Sequence, residues 1–287
     1  MAAQFLAYLE LTKPRLTLLA LITALIGFLL GTPHQWNRRE FWFVLLGTAL
    51  VGAGCGILNQ VMEQDPDRQM ERTKQRPIPS GRVQEPNAMA FGVIAATAGL
   101  LILTFGCNAL AGTLAALTLV SYLFIYTPLK KTTAFCTLAG AIPGAIPPLI
   151  GWAAARGSIG IGAWFLFWII FIWQLPHFLA IAWIHRDDYA RAGFKMLPVI
   201  DLNGAATGRQ IIVYCAALVP VSLLPAAYGF CSWIYFGVAL AAGLLFLAAG
   251  VHAARTRTEQ AARQLFISSI LYLPVILITM TLDRLLL

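Results

Sequence analysis

Nine stretches of predominantly apolar residues recur along the 287-residue chain, each close to the length that crosses about 30 Å of hydrocarbon. A mean hydropathy of +0.76 excludes a soluble domain. Because lipid cannot hydrogen-bond the backbone, such stretches are expected to be helices. The sequence therefore predicts an all-α polytopic membrane protein, with one transmembrane domain over residues 1–287. The predicted helices cover about 16–32, 41–62, 87–106, 109–127, 135–154, 160–184, 211–229, 233–253 and 265–283.

Basic residues in the short connections predict the orientation. Of the 20 Lys and Arg, all but Arg38, Arg39, Arg156 and Arg284 fall on the side of the N-terminus. This excess predicts a cytoplasmic N-terminus, an outside C-terminus, and cytoplasmic loops over about 63–86 and 185–210. The absence of a basic, acid-poor leader indicates a bacterial cytoplasmic membrane. The net charge of +8 is interpreted as part of this orientation signal, and no nucleic-acid partner is expected. Trp36, in the first connection, is a candidate anchor at the membrane interface.

A charged insert from Asn59 to Arg82 lies directly against the second predicted helix. Asn59, Glu63 and Asp67 follow at four-residue spacing, which places three oxygen-bearing side chains on one face of an unbroken helix. Pro66 leaves a second possibility open, because proline cannot donate to the carbonyl four residues earlier. A new short helix starting at Asp65 and Pro66 would displace Asp67 from that face.

Clustered carboxylates without His or Cys suit Mg²⁺, which takes one or two carboxylates together with waters and substrate phosphates. The interleaved Arg and Lys suit diphosphate oxygens. A second acidic site, Asp187 and Asp188, follows the sixth predicted helix on the same membrane side. Together these features favour a Mg–diphosphate site at the membrane surface, although such charges also occur as ordinary solvated loop pairs.

Prolines inside two predicted helices indicate distortions near this site. Pro143, Pro147 and Pro148 require the fifth helix to bend or open, which is typical of a helix that lines a cavity. Pro176 directly precedes His177 in the sixth helix, where an imidazole is costly without a partner.

Five segments of the chain carry a family resemblance: NQVMEQDPDRQMERTKQRPIPSGR, YTPLKK, GAIPGAIPPLIGW, WQLPHF and RDDYARAGFKMLPV. In this order they resemble the signature segments of protoheme IX farnesyltransferases, a branch of the UbiA-type intramembrane prenyltransferases. The resemblance extends from about Thr12 to the last helix. The superfamily pattern of an Asn and two acids matches Asn59, Glu63 and Asp67, with Glu63 where many members have Asp.

This resemblance implies a UbiA-type bundle and Mg²⁺-dependent transfer of a farnesyl group from farnesyl diphosphate to a vinyl group of haem B, giving haem O. It implies Asn59, Glu63, Asp67 and Asp188 as catalytic residues, and the same four with Asp187 as metal ligands. A downstream haem A synthase and the lipid bilayer are implied partners, and the prenyl tail is expected to lie among the helices. The implied diphosphate-binding residues are Arg72, Lys74 and Arg76, followed by Arg68, Lys130, Lys131 and Lys195.

Aromatic residues within the helices are candidates for contact with the prenyl tail or an allylic cation. They are Tyr122, Tyr126, Trp173 and Phe178, for which packing is the alternative role. For His177 a haem contact and helix packing carry equal weight. Two other functions stay open: prenylation of a quinone precursor or another aromatic acceptor, and ion-coupled transport, in which the acids would be expected near the bilayer midplane.

Overall fold

A computed structural model describes residues 2–32 and 37–286. These residues form nine helices long and apolar enough to span a membrane, which confirms the prediction of a nine-helix membrane protein. Trp36 lies outside the described residues. Spans 1 to 9 are, in order, Pro14–Gly31, Arg38–Met62, Glu85–Cys107, Ala109–Leu129, Cys136–Arg156, Ile161–Ile184, Ala205–Ala227, Trp233–Thr256 and Glu259–Leu286.

Two spans begin earlier than the hydropathy pattern predicts. Span 7 starts at Ala205 rather than near residue 211, and span 9 starts at Glu259 rather than near residue 265. Asp201 fixes the start of span 7, because its carboxylate accepts hydrogen bonds from the backbone and the hydroxyl of Thr207 at 2.7 and 2.9 Å. Hydropathy marks only the part of a helix that lies in hydrocarbon, so polar first turns are missed.

The junction after span 2 decides the position of Asp67. Span 2 ends at Met62, and a short helix, Gln64–Gln69, follows at once. The backbone N–H of Asp67 still donates to the Glu63 carbonyl at 2.8 Å, so helical pairing continues across the break. The sequence left two possibilities open: a new short helix does form, yet Asp67 lines the same cavity as Asn59 and Glu63. The new helix begins at Gln64, with Pro66 in its first turn, where a missing N–H is tolerated.

Span 5 is broken as its prolines predict. One helical segment, Cys136–Ala145, ends before Pro147, and a second, Pro147–Arg156, continues the span. The second segment packs closely against span 1 through glycines. A Cβ atom on Gly151 would lie 1.8 Å from the carbonyl oxygen of Ala24, so only glycine allows this approach.

Span 4 changes its helical pitch near the site. Residues Ser121–Tyr126 form a π-helical segment, and the Thr127 N–H donates to the Tyr122 carbonyl five residues earlier. Tyr122 and Tyr126, four residues apart within this segment, lie on the same face of the helix and line the same cavity. Such π segments are common at functional sites.

An amphipathic helix, Ala2–Leu11, precedes span 1. It is anchored by a 2.8 Å hydrogen bond from the Gln60 amide to the Leu11 carbonyl and by a 2.8 Å ion pair between Glu10 and Arg82. The chain then turns at Lys13, which has a left-handed backbone (φ 50°) directly before Pro14. The turn points the chain into the membrane and places Lys13 beside span 2.

Candidate active site

Two adjoining cavities lie at the ends of spans 1, 2 and 4, and both are lined by Lys13, Tyr122 and Tyr126. The first, about 70 Å³, is called the polar cavity. Its other lining residues are Asn59, Glu63, Asp67, Met70, Arg72, Arg76, Lys130, Tyr189, Phe194 and Met196. The second, about 300 Å³, is called the apolar cavity. It runs among spans 1, 2, 4, 5 and 6 and includes Pro143, Pro147, Trp173, His177 and Phe178.

Asn59 connects three parts of the chain at the junction of the cavities. Its side-chain oxygen accepts a 2.6 Å hydrogen bond from the Lys13 ammonium. Its amide nitrogen donates to the Thr127 hydroxyl at 3.0 Å. These two bonds orient the amide group, so that its oxygen faces the basic side of the polar cavity.

Glu63 forms a buried ion pair with Lys130 at 2.7 Å. Burial alone would lower the pKa of Lys130, but the Glu63 carboxylate outweighs it and raises that pKa above its ordinary value. The same ammonium lies 4.5 Å from the ring centroid of Tyr126. A cation held between a carboxylate and an aromatic face is a fixed charge at the cavity wall.

Asp67 is fully buried and is paired with Arg76. Arg76 Nη1 lies 2.8 and 2.7 Å from the two carboxylate oxygens. The Thr73 hydroxyl donates to the Asp67 carbonyl at 2.9 Å, which holds the intervening loop against the short helix. The structure thus brings Asn59, Glu63 and Asp67 to one cavity, each in contact with a basic residue.

Asp188 lies beside this arrangement and contacts the loop that carries Arg72. Its two oxygens accept hydrogen bonds from the backbone N–H groups of Glu71 and Arg72 at 3.2 and 3.3 Å, and Arg191 pairs with it. Its burial favours the neutral acid, yet these backbone hydrogen bonds and Arg191 prevail and lower the pKa of Asp188. Neither Asp188 nor Asp187 is among the lining residues of the two cavities, and Asp187 has an exposed side chain 3.7 Å from Arg186.

The predicted diphosphate-binding residues divide into two groups. Arg72, Arg76 and Lys130 line the polar cavity. Arg68 and Lys74 instead form exposed ion pairs with Asp65 and Glu71. The remaining two, Lys131 and Lys195, are exposed and lie outside the lining of the polar cavity.

Lys13 is a site residue that the sequence analysis missed, because it was used only as an orientation signal. It is half-buried, and its ammonium group lies against Asn59 in the polar cavity. Burial, with Arg76 nearby, lowers the pKa of Lys13 to about 7. The signal that marks it is a lysine directly before the proline that starts a span, next to an acidic insert at the same membrane face.

The five predicted substrate-contacting residues all line a cavity. Tyr122 and Tyr126, with ring centroids 5.4 Å apart, lie where the two cavities meet. Trp173, His177 and Phe178 line the apolar cavity only. Their positions are compatible with contact to a bound lipid or porphyrin.

Comparison with known proteins identifies the family. The sequence profile of the UbiA prenyltransferase family matches residues 20–273. The chain belongs to that family. It is 47% identical over 286 residues to the protoheme IX farnesyltransferase of Solibacter usitatus, covering 96% of this chain and 98% of the relative. It is 42% identical to the protein of that name from Opitutus terrae, and the match covers 99% of this chain and 96% of the relative. The resemblance seen in the signature segments is confirmed.

Solved structures of the UbiA family share the fold. A structure described for digeranylgeranylglyceryl phosphate synthase aligns with a TM-score of 0.84 at 18% identity, covering 99% of each chain. A UbiA homologue from Archaeoglobus fulgidus bound to GPP and Mg²⁺ aligns with a TM-score of 0.73 at 15% identity, covering 96% of this chain and 99% of that one. These neighbours confirm the predicted UbiA-type bundle.

The donor atoms at the UbiA-type site suit a hard cation that shares its ligands with a substrate. Residues 2–32 and 37–286 contain no group of three or more His, Cys, Asp or Glu side chains placed to hold a metal ion. The polar cavity offers the Asn59 amide oxygen and the carboxylates of Glu63 and Asp67. Mg²⁺ is usually bound in this way, through one or two carboxylates with phosphate oxygens and waters completing its shell.

Proposed function

We propose that this prenyltransferase transfers the farnesyl group of farnesyl diphosphate to a vinyl group of haem B, in a Mg²⁺-dependent reaction that yields haem O and diphosphate. Curated relatives that match nearly the full length of the chain carry the name protoheme IX farnesyltransferase, and this supports the acceptor and the prenyl donor. The solved structure of a UbiA homologue with the same fold contains GPP and Mg²⁺, and this supports a Mg²⁺ requirement for the reaction.

The observation that carries the proposal is an uncompensated positive charge beside an apolar cavity. Four basic side chains line the polar cavity against two buried carboxylates. Arg76 and Lys130 are paired with these carboxylates, whereas the half-buried Lys13 and the exposed Arg72 have no carboxylate partner among the described residues. Positive charge beside a low-dielectric interior favours an anion that brings a counter-charge. A diphosphate supplies that charge, and the adjoining apolar cavity accepts the hydrocarbon chain attached to it. The basic residues are Lys13, Arg72, Arg76 and Lys130.

In this proposal Asn59, Glu63 and Asp67 hold the metal, and Lys13, Arg76 and Lys130 turn from these residues toward the diphosphate. When bound, Mg²⁺ supplies neutralisation of the negative charge on the leaving diphosphate. Asp188 positions the loop that carries Arg72. Asp187 has no part, because its side chain is exposed beside Arg186 and is not among the lining residues of either cavity.

The residues at the cavity junction favour breakage of the allylic C–O bond. The bonding electron pair leaves with the diphosphate, where the basic residues stabilise it. The faces of Tyr122 and Tyr126 stabilise the allylic cation that remains, each by about 1–2 kcal/mol when desolvated. The vinyl π electrons form the new C–C bond, and water adds to the resulting cation with loss of a proton, giving a hydroxyethylfarnesyl group.

The other functions have less support. The transporter alternative has none in the comparisons, and the acidic residues lie at the ends of spans rather than at mid-membrane. A quinone precursor or other aromatic acceptor remains an outcome of the test below.

The protein is a multi-pass membrane protein. Its location in a bacterial cytoplasmic membrane, the cytoplasmic N-terminus and a downstream haem A synthase stay predictions.

The decisive experiment incubates purified protein in detergent with haem B, farnesyl diphosphate and Mg²⁺, with and without EDTA, and follows haem mass by chromatography and mass spectrometry. We expect a Mg²⁺-dependent product heavier than haem B by a farnesyl group plus a hydroxyl group. Absence of a haem product, with prenylation of 4-hydroxybenzoate instead, would refute the haem acceptor and retain the prenyl donor site.

A matched pair of variants tests the metal ligands. Glu63→Gln removes a buried carboxylate of the polar cavity, whereas Glu71→Gln removes an exposed one that pairs with Lys74. We expect Glu63→Gln to raise the Mg²⁺ concentration for half-maximal rate by about tenfold or more. Equal Mg²⁺ dependence in the two variants would contradict the assignment of Glu63.

A further inference from the structure

The imidazole of His177 is held in one orientation at the wall of the apolar cavity. Its Nδ1 lies 2.7 Å from the hydroxyl oxygen of Ser269 in span 9. The rings of Trp173 and Phe266 stack on it, with centroids at 4.9 and 5.1 Å and interplanar angles of 23° and 28°. The indole N–H of Trp173 in turn donates to the Ser269 carbonyl at 2.8 Å, so both residues are fixed to the same turn.

The hydrogen bonds around Ser269 determine the tautomer of His177. A serine hydroxyl carries a single hydrogen, and Ser269 donates it to the Phe266 carbonyl at 2.5 Å. The hydroxyl oxygen can then only accept from His177, so Nδ1 carries the imidazole proton. Nε2 is left with a lone pair. Within the described part of the chain, no donor forms a hydrogen bond with Nε2.

This arrangement matches that of a histidine prepared to bind a metal. Metal-ligating imidazoles almost always donate the other ring N–H to a protein acceptor, which fixes the tautomer and directs the free lone pair. A histidine that serves only in packing has no need of an unpaired nitrogen, and such a nitrogen is costly inside a membrane span. His177 is only partly buried and lines the cavity that Tyr122 and Tyr126 also line.

We infer that Nε2 of His177 is the axial ligand of the iron in the acceptor haem, and that Ser269 is the positioning residue that keeps this nitrogen unprotonated. The inference rests on the proposed function, because it requires a haem substrate. Iron ligation holds the porphyrin at the wall of the apolar cavity that spans 6 and 9 form, beside the hydrocarbon chain of the prenyl donor, so that a vinyl group meets the allylic carbon at the junction of the two cavities. Neutral imidazole is a common iron ligand.

The test compares binding of haem B with binding of metal-free protoporphyrin IX, which has the same shape and no iron. In wild-type protein, haem B is expected to show the absorption bands of a nitrogen-ligated iron. His177→Ala is expected to lose these bands and to bind haem B more weakly, while protoporphyrin binding, measured by fluorescence, is unchanged. With His177→Gly, added imidazole is expected to restore the bands.

Two further variants separate ligation from a general packing effect. Ser269→Ala keeps the imidazole but removes its acceptor, and we expect about tenfold weaker haem binding with protoporphyrin binding retained. His252→Ala removes an exposed histidine of span 8 and is expected to bind both porphyrins as the wild type does.

The outcomes distinguish the two hypotheses. If wild-type protein farnesylates haem B but His177→Ala gives the same haem spectrum, the ligand assignment is wrong and the proposed function stands. Equal loss of haem and protoporphyrin binding in His177→Ala, without imidazole rescue in His177→Gly, likewise overturns ligation in favour of packing. If wild-type protein prenylates only a non-porphyrin acceptor, the proposed function fails and this inference fails with it.

Discussion

Arg76 Nη1 lies between the two carboxylate oxygens of Asp67, at 2.8 and 2.7 Å, and this carboxylate is fully buried. Arg76 therefore has two roles in the proposed site. It compensates the charge of Asp67 before substrate binds, and it is available to the diphosphate once a metal takes its place on Asp67. Stability and substrate binding consequently depend on the same side chain.

Arg76→Met is expected to destabilise the protein by about 3–5 kcal/mol, because it leaves the buried Asp67 carboxylate without a cation. Thermal unfolding in detergent measures this loss. The matched control is Arg68→Met, which removes an arginine paired with Asp65 at the surface, where an ion pair contributes about 0–1 kcal/mol. Similar unfolding temperatures for the two variants would contradict the role of the buried pair.

Lys13→Met is expected to weaken farnesyl diphosphate binding by about tenfold to a hundredfold, since a hydrogen bond to a charged group contributes about 1.5–3 kcal/mol. Isothermal titration calorimetry with a non-hydrolysable farnesyl diphosphate analogue and Mg²⁺ measures the dissociation constant of the analogue in each variant. Arg15→Met, two residues along the chain and exposed, provides the control for loss of a basic residue at the same membrane face. An equal loss in both variants would point to general electrostatics instead of a contact by Lys13.

Asp188→Asn is expected to loosen the loop around Arg72, because one of the two oxygens that accept the Glu71 and Arg72 N–H groups becomes an amide donor. Amide hydrogen exchange of residues 70–76 is expected to become faster, and the KM for farnesyl diphosphate to rise with a smaller change in kcat. Asp187→Asn, which alters an exposed carboxylate, is the control. Unchanged exchange with a higher Mg²⁺ requirement would indicate a metal ligand instead.

Gly151→Ala is expected to destabilise the bundle by about 1–3 kcal/mol, because the added methyl group would overlap the Ala24 carbonyl and push spans 1 and 5 apart. Gly237→Ala is the control, since no atom lies within 4 Å of the added methyl group in span 8. There the substitution is expected to be neutral or stabilising by up to about 1 kcal/mol. A comparison of the two unfolding temperatures checks both expectations.

Local sequence patterns predicted the features that depend on neighbours along the chain. The four-residue spacing of Asn59, Glu63 and Asp67 predicted a shared helical face, and the structure retains it because backbone pairing continues across Glu63. The prolines of span 5 predicted that the helix bends or opens, and the structure interrupts it directly before Pro147. Pro66 left the position of Asp67 open, and the structure places this proline in the first turn of the short helix, where the donor it lacks would have no partner.

Contacts between distant segments could not be predicted in this way. Lys13 meets Asn59 across 46 residues of sequence, and nothing in the first segment specifies which of its basic residues turns inward. The choice between Asp187 and Asp188 is similar: adjacent residues on a helix point in different directions, and the position of the loop at residues 70–76 decides which one is bonded.

The sequence by itself determined that this chain crosses a membrane as helices, nine of which lie within residues 2–32 and 37–286, because hydrocarbon allows no other use of such apolar stretches. It also determined the chemistry available at one membrane face, through the residue types of the charged insert and the signature segments. The tertiary structure decided which of these groups meet. Charged and polar groups within the low-dielectric bundle need partners. Glu63 is paired with Lys130 and the His177 imidazole with Ser269, both far away in sequence, and Asp67 is paired with Arg76 of the loop that follows it.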